Sequence, residues 1–143
     1  MRLLWIVPWV LIVATSSNAA STSPAIVVLT SIENGLESQS EFMCYGKIHG
    51  YIRLASPQEG THVLSSRWVQ PSGKFAADSR STVDFSPARS TAYVWFGFPE
   101  SALFGAPDPG LDEMRLQFNG IWTLDVRWDE KPLLNETFHV RCP

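Results

Sequence analysis

Apolar and polar residues alternate with a period of two along most of the chain, and helical periodicity is nearly absent. Such alternation sends successive side chains to opposite faces of a β-strand, so each alternating run predicts a strand. In the cleanest run, Trp122, Leu124 and Val126 share one parity, while polar residues take the other. Seven runs predict strands, at residues 25–30, 44–54, 63–69, 81–85, 91–98, 120–128 and 134–141.

Clusters of turn-forming residues separate these runs. Glu33-Asn34-Gly35, Pro71-Ser72-Gly73 and residues 129–132 each combine the residue types that favour turns. Short strands at near-regular spacing, with turn signals between them, are typical of a sandwich of two sheets. The sequence therefore predicts an all-β fold, an immunoglobulin-like β-sandwich of about seven antiparallel strands with one disulfide.

The segment before the cleanest run is open to two interpretations. Residues 106–110 are rich in Pro and Gly and predict a loop, whereas residues 114–118 alternate again. The following Asn119-Gly120 pair is a strong signal for a two-residue hairpin. Residues 114–118 are therefore either an extra strand paired with 121–128 or a corner that carries the chain from one sheet to the other.

The N-terminal segment has the three parts of a secretory signal. Arg2 supplies a positive start, and residues 3–14 are apolar but too short to span a bilayer as a helix. Ser17 and Ala19 are small residues at the positions that a signal peptidase reads, which predicts cleavage after Ala19. We expect a signal peptide at residues 1–19, a single β-sandwich domain at residues 20–143 without a membrane span, and a secreted or periplasmic location.

The chain has two cysteines, Cys44 and Cys142. In an exported protein, two thiols of this kind predict a disulfide. Each cysteine shares parity with apolar residues of its own strand, so both thiols are expected to face the core. Since consecutive strands alternate in direction, the start of the second strand and the end of the seventh lie at the same pole of a sandwich, where the thiols can meet.

The chain is mildly acidic, with a formal net charge of −3. Lysines and arginines are scattered singly and form no stripe. This distribution argues against nucleic acid as a partner and disfavours binding to anionic membranes.

Two segments resemble a known class of domains. Gly120-Ile121-Trp122-Thr123-Leu124-Asp125-Val126, a polar turn and then Glu136-Thr137-Phe138-His139-Val140 are similar to the last hairpin of bacterial secreted immunoglobulin-like domains. The segment from His62 to Gly73, with Trp68 and then Pro71-Ser72-Gly73, resembles an earlier strand of the same domains. The resemblance covers about a third of the chain that follows the expected signal peptide and implies architecture, not activity. In the antibody pattern, by contrast, the disulfide joins the second and sixth strands.

The residue types that usually act in catalysis or bind metals form no catalytic or metal-binding pattern in this sequence. His49, His62 and His139 lack metal-like spacing, and no nucleophile motif or phosphate-binding glycine loop is present. The adjacent carboxylates of Asp129 and Glu130 are expected to stay ordinary in a solvated turn. We therefore predict no catalytic residue, metal or cofactor.

Asn135 begins the sequence Asn135-Glu136-Thr137 and has the outward parity. It is an acceptor for N-glycosylation only in a eukaryotic host.

The best functional candidate is the strand at residues 93–98, which is apolar on both parities. Either residues 99–118 fold over its second face, or Tyr93, Trp95 and the loop residue Phe104 form an exposed aromatic patch that binds a partner. The sequence thus predicts a non-catalytic exported binding module for another exported protein or a glycan. The alternatives are a small periplasmic copper or electron carrier, a metallochaperone, or a hydrolase inhibitor acting through the loop at 99–113.

Overall fold

A computed structural model describes residues 25–56, 59–99, 113 and 116–142, which form eight strands in two sheets. The three-stranded sheet has the order β1-β3-β6, and the five-stranded sheet has the order β2-β8-β7-β4-β5. In chain order the strands are β1 Ala25–Thr30, β2 Glu41–Met43, β3 Lys47–Leu54, β4 Gly60–Val69, β5 Phe75–Phe85, β6 Thr91–Gly97, β7 Gly120–Trp128 and β8 Lys131–Arg141. No helix in this described part is long and apolar enough to cross a membrane.

The all-β prediction is confirmed, but the strand count and the purely antiparallel pairing are not. The predicted strand at 44–54 begins only at Lys47, because Gly46 lies before it with a φ of 75°. Residues Glu41–Met43 form a separate short strand, β2, which pairs in parallel with β8, and residues 44–46 link it to β3 without belonging to either strand. The predicted strand at 81–85 is longer, since β5 already begins at Phe75.

The core lies between the two sheets and is built from the inward parity of each strand. Trp68 and Trp122 are almost fully buried at its centre, where their rings contact those of Phe96 and Phe138. The indole N–H of Trp122 donates a hydrogen bond to the Phe118 carbonyl oxygen at 2.7 Å. A buried tryptophan usually needs such an acceptor, so this bond helps to hold the segment before β7 against the core.

The predicted disulfide between Cys44 and Cys142 is confirmed, with their Cα atoms 5.1 Å apart. Cys44 is buried, and Cys142 packs partly buried against the core. The Cys44 N–H donates to the Arg141 carbonyl oxygen, and the Cys142 N–H donates to Asn119 Oδ1. The bridge therefore joins the end of β2, rather than the start of β3, to the end of β8.

The segment before β7 is not an extra strand where the structure describes it. Residues 116–118 are helical, and the chain passes from the three-stranded to the five-stranded sheet between β6 and β7. Asn119-Gly120 is not a hairpin turn, because Asn119 accepts the Cys142 N–H and Gly120 opens β7 with a φ of 135°. The other residues of 100–115, apart from 113, lie outside the described part.

Candidate binding face

The outer side of the three-stranded sheet carries a group of ring-bearing side chains on β3 and β6. The strand register places Tyr51 opposite Tyr93, and His49 opposite Trp95. All four side chains have the parity that points away from the core, because the alternate β6 residues are buried between the sheets. We call this surface the aromatic face: His49, Tyr51, Tyr93 and Trp95.

The two β6 members of the aromatic face are open to solvent. Tyr93 is 45% exposed and Trp95 is 53% exposed, while Ala92, Val94 and Phe96 on the other parity are buried. The strand is therefore apolar on both sides, but only one side belongs to the core. Most of residues 99–118, which one of the two expectations from the sequence places over this face, lie outside the described residues, so that expectation stays a prediction. Phe104, the third predicted member, lies outside the described residues.

The Trp95 ring lies close to the backbone of Gly97, its neighbour on the same face of the sheet, because glycine has no side chain there. A Cβ atom at Gly97 would come within 3.3 Å of the Trp95 ring atom Cζ3, which is tighter than ordinary packing. The ammonium group of Lys47, opposite Gly97 in the register, lies 4.8 Å from the ring centroid. Such a cation–π contact favours one position of the ring, so the exposed indole is held in place.

Tyr93 is fixed by a hydrogen bond across the same face. Its hydroxyl and His49 Nδ1 are 2.6 Å apart, and His49 is only 6% exposed although it lies on the outer face. Burial raises the pKa of the Tyr93 phenol, with smaller contributions from Tyr51 and Glu33. The sequence did not predict this contact, because it joins residues 44 positions apart through the β3–β6 register.

The loop after β1 extends the aromatic face with aliphatic surface. The Asn34 N–H donates to the Tyr51 hydroxyl at 2.7 Å, which fixes the predicted turn against the sheet. A hollow of about 170 Å³ forms between this loop and the strands, and Leu36 and Val28 are among its lining residues. Leu36 is 81% exposed and Ile26, on β1, is 60% exposed. Exposed apolar side chains are therefore present on β6, on β1 and in the loop between β1 and β2.

The outer side of the five-stranded sheet is different in character. It holds a shallow hollow of about 420 Å³ lined mainly by serine, arginine and aspartate side chains. Its three arginines each lie within salt-bridge distance of an acidic residue, as Arg67 with Asp78, Arg80 with Glu130, and Arg127 with Asp125. These side chains are mostly well exposed, and ion pairs of that kind contribute little energy. This side is a solvated polar surface whose charges are largely compensated.

A histidine–aspartate pair joins β4 to the β7–β8 turn. Asp129 Oδ2 lies 2.7 Å from His62 Nδ1, and its Oδ1 accepts the Val63 N–H at 2.8 Å. The hydrogen bond from His62, then the one from Val63, lowers the pKa of the Asp129 carboxyl group. The expectation that solvent keeps this carboxyl ordinary is therefore wrong. The Asp129 N–H also donates to the Val63 carbonyl oxygen, so these contacts hold the β7–β8 turn against β4.

The remaining predictions concern a metal site, the possible glycosylation site Asn135 and the loop at 99–113. The described residues contain no group of three or more His, Cys, Asp and Glu side chains that would hold a metal ion. Asn135 is exposed on β8, opposite Asp125. Most of the loop at 99–113 lies outside the described residues, so its role as an inhibitory segment remains a prediction.

Comparison with known proteins gives no close relative. No family model matches the chain, and no curated protein matches it. One similar solved structure is an alkylpurine DNA glycosylase, AlkC, of Pseudomonas fluorescens bound to DNA that contains an abasic site analog. It has 9% identity and a TM-score of 0.41, over 83% of this chain and 31% of that chain. Another is a glycosyl hydrolase family 2 member of Bacteroides cellulosilyticus, with 12% identity and a TM-score of 0.40, over 67% of this chain and 12% of that chain. The chain thus spans less than a third of either protein, and similarities at this level do not indicate its function.

Proposed function

We propose that this domain is a non-catalytic, exported binding module and that its partner docks on the aromatic face. The observation that carries the proposal is the exposure of Tyr93 and Trp95, side by side on a face where other side chains fix both rings. Exposed tyrosine and tryptophan are enriched at binding surfaces, because rigid rings bury much area at little cost in conformational entropy. Export is supported by the disulfide, which forms and persists in oxidising compartments.

We further propose that the two sheets form a sandwich of the immunoglobulin-like type. The order β1-β3-β6 corresponds to strands A, B and E of such domains, and β8-β7-β4-β5 corresponds to G, F, C and C′. The disulfide differs from the antibody pattern, since it joins the chain near the two ends of the domain rather than strands B and F. A fold of this type is compatible with a binding role but does not by itself indicate what is bound.

The partner we propose is another exported protein. The aromatic face continues into the aliphatic side chains of Val28, Ile26 and Leu36, with a small hollow between strand and loop. Exposed apolar side chains of this kind complement protein side chains better than the hydroxyl groups of a glycan. Lys47 and Arg53 are exposed on the same side of β3 and supply a polar rim.

The proposal is tested by capture of exported proteins on the immobilised domain, with quantification by mass spectrometry. The wild type is compared with Trp95→Ala and with Ile121→Ala. Ile121 is a matched control, because it is 59% exposed and lies on the other sheet. We expect a protein that wild type and Ile121→Ala retain equally and that Trp95→Ala retains at least about tenfold less, as for a ring at the centre of an interface.

Two outcomes would contradict the proposal. Equal retention by Trp95→Ala would show that the aromatic face is not the binding surface. Unfolding of Trp95→Ala would assign the ring a structural role, whereas an exposed side chain should leave the thermal midpoint within a few degrees. A glycan array probed with the same three proteins tests the other partner class. A glycan bound only by wild type and Ile121→Ala would replace the protein partner.

A further inference from the structure

Strand β6 is an edge of the three-stranded sheet, and β3 is its sole partner among the described strands. The other free edge on this flank, β5, belongs to the opposite sheet. A cleft of about 500 Å³ separates the two edges, with Trp68 and Ala77 among the residues that line it. The β6 edge is therefore not closed by β5.

The hydrogen bonds just beyond the two ends of β6 show which of its residues direct their backbone N–H and C=O groups toward β3. Leu54 N–H donates to the Ser90 carbonyl oxygen, and Phe98 N–H donates to the Gly46 carbonyl oxygen. In an antiparallel pair, bonded and non-bonded positions alternate, so the even-numbered residues of β6 direct their backbone groups toward β3. The N–H and C=O groups of the odd-numbered residues point away from the sheet, at Thr91, Tyr93, Trp95 and Gly97.

Proteins usually protect such an edge with charges, prolines, bulges or a covering segment. Strand β5 carries Asp78, Arg80 and Asp84, and β2 is only three residues long. On β1, the Leu29 carbonyl oxygen accepts the Gln39 N–H, so a following segment engages that edge. Strand β6 has no charged residue, no proline and no register shift against β3.

We infer that β6 pairs antiparallel with β6 of a second copy of this chain, which joins the two three-stranded sheets into one of six strands. The four residues with outward backbone groups are spaced symmetrically around Val94, so they can pair with the same four residues of a second copy that runs in the opposite direction. With Val94 opposite Val94 of the second copy, Thr91 pairs with Gly97, Tyr93 with Trp95, and the reverse pairs follow by symmetry. All four outward residues on each chain then form bonded pairs, whereas a shift by two residues leaves one on each chain without a partner.

The same register matches side chains as well as backbone groups. On the outer side, Tyr93 of one copy lies opposite Trp95 of the other, twice, and aromatic cross-strand pairs stabilise sheets. On the inner side, Ala92 lies opposite Phe96, so a small residue meets a large one. Strand pairing uses groups in the plane of the sheet and leaves the aromatic face open. The inference therefore does not depend on the proposed function, and the dimer presents two such faces side by side.

Sedimentation velocity of the oxidised protein across the micromolar range tests this pairing. The informative variant is Tyr93→Pro, which removes an outward N–H and leaves the ladder to β3 intact, as proline on an edge strand allows. Tyr93→Ala is its matched control, because it removes the same ring and keeps the N–H. We expect a dimer for wild type and a weaker dimer for Tyr93→Ala, which lacks the two cross-strand ring pairs but keeps the hydrogen bonds. For Tyr93→Pro we expect dimerisation at least about 30-fold weaker than for Tyr93→Ala, since two symmetry-related hydrogen bonds are lost. Thr91→Pro and Thr91→Ala provide a second pair at the strand start if Tyr93→Pro fails to fold.

Amide exchange measured by NMR locates the contact. The Tyr93 and Trp95 amides should become protected as protein concentration rises, whereas the Val94 and Phe96 amides should be protected at every concentration. A monomer throughout the range would overturn the inference. So would proline variants that dimerise as tightly as their alanine controls, or a dimer in which Tyr93 and Trp95 exchange at rates independent of concentration.

Discussion

Removing the Cys44–Cys142 bridge should cost a large part of the stability of this domain. The cysteines are 98 residues apart in sequence, so the bridge closes nearly the whole described chain into one loop. On the chain-entropy model, a loop of that length restricts the unfolded chain by about 4–5 kcal/mol. Domains of ordinary size have a total free energy of unfolding of about 5–15 kcal/mol. The bridge is therefore expected to supply at least about a quarter of the total.

The assay is urea denaturation followed by tryptophan fluorescence, with wild type compared with Cys44→Ala/Cys142→Ala. Because Cys44 is buried, its replacement by alanine also removes packing. Wild type under reducing conditions is the control that keeps both sulfur atoms and breaks only the bridge. We expect the reduced wild type to lose about 4 kcal/mol in the free energy of unfolding relative to the oxidised protein, and the double alanine variant to lose more because it also lacks the buried sulfur atom. A loss below about 1 kcal/mol in the reduced wild type would refute the entropic reasoning. It would show that the reduced unfolded chain retains structure and gains little freedom when the loop opens.

Three smaller predictions concern single positions. Glu130 has a φ of 69° in the β7–β8 turn, so Glu130→Gly should raise the free energy of unfolding by about 0.5–1 kcal/mol in urea titration, and an unchanged value would argue against strain there. Gly50→Ala would place a Cβ 2.9 Å from a methyl group of Val94, and we expect a loss of about 1–2 kcal/mol; unchanged stability would mean that the two strands adjust freely. Because hydrogen bonds lower the pKa of Asp129, its contribution is present above the ordinary value of 3.8 and is lost as the pH falls through the lowered pKa. The stability difference between wild type and Asp129→Asn should therefore shrink in acid, and a difference that grows would contradict this sign.

Most of the fold could be predicted from the sequence because one buried face per strand leaves a visible alternation. Trp122, Leu124 and Val126 show it in β7, and all three are fully buried. Strand β2 escaped prediction, because three residues are too few to show a period. The first half of β5 also escaped, since an edge strand with much polar sequence carries little hydrophobic signal.

The candidate site could be predicted only in part. The double apolar pattern of β6 identified Tyr93 and Trp95, but their exposure depends on what packs above the sheet. The contact between His49 and Tyr93 depends on the β3–β6 register, which a single sequence does not encode locally. The role of Gly97 is likewise invisible without the position of the Trp95 ring that lies over it.

The most direct test of the aromatic face as the binding surface is the amount of partner protein that Trp95→Ala retains, relative to Ile121→Ala, in capture from the exported fraction. Both substitutions remove an exposed apolar side chain, and they lie on different sheets. We predict that Ile121→Ala retains the partner as wild type does and that Trp95→Ala loses it while remaining folded. Equal retention by the two folded variants would contradict the proposed function.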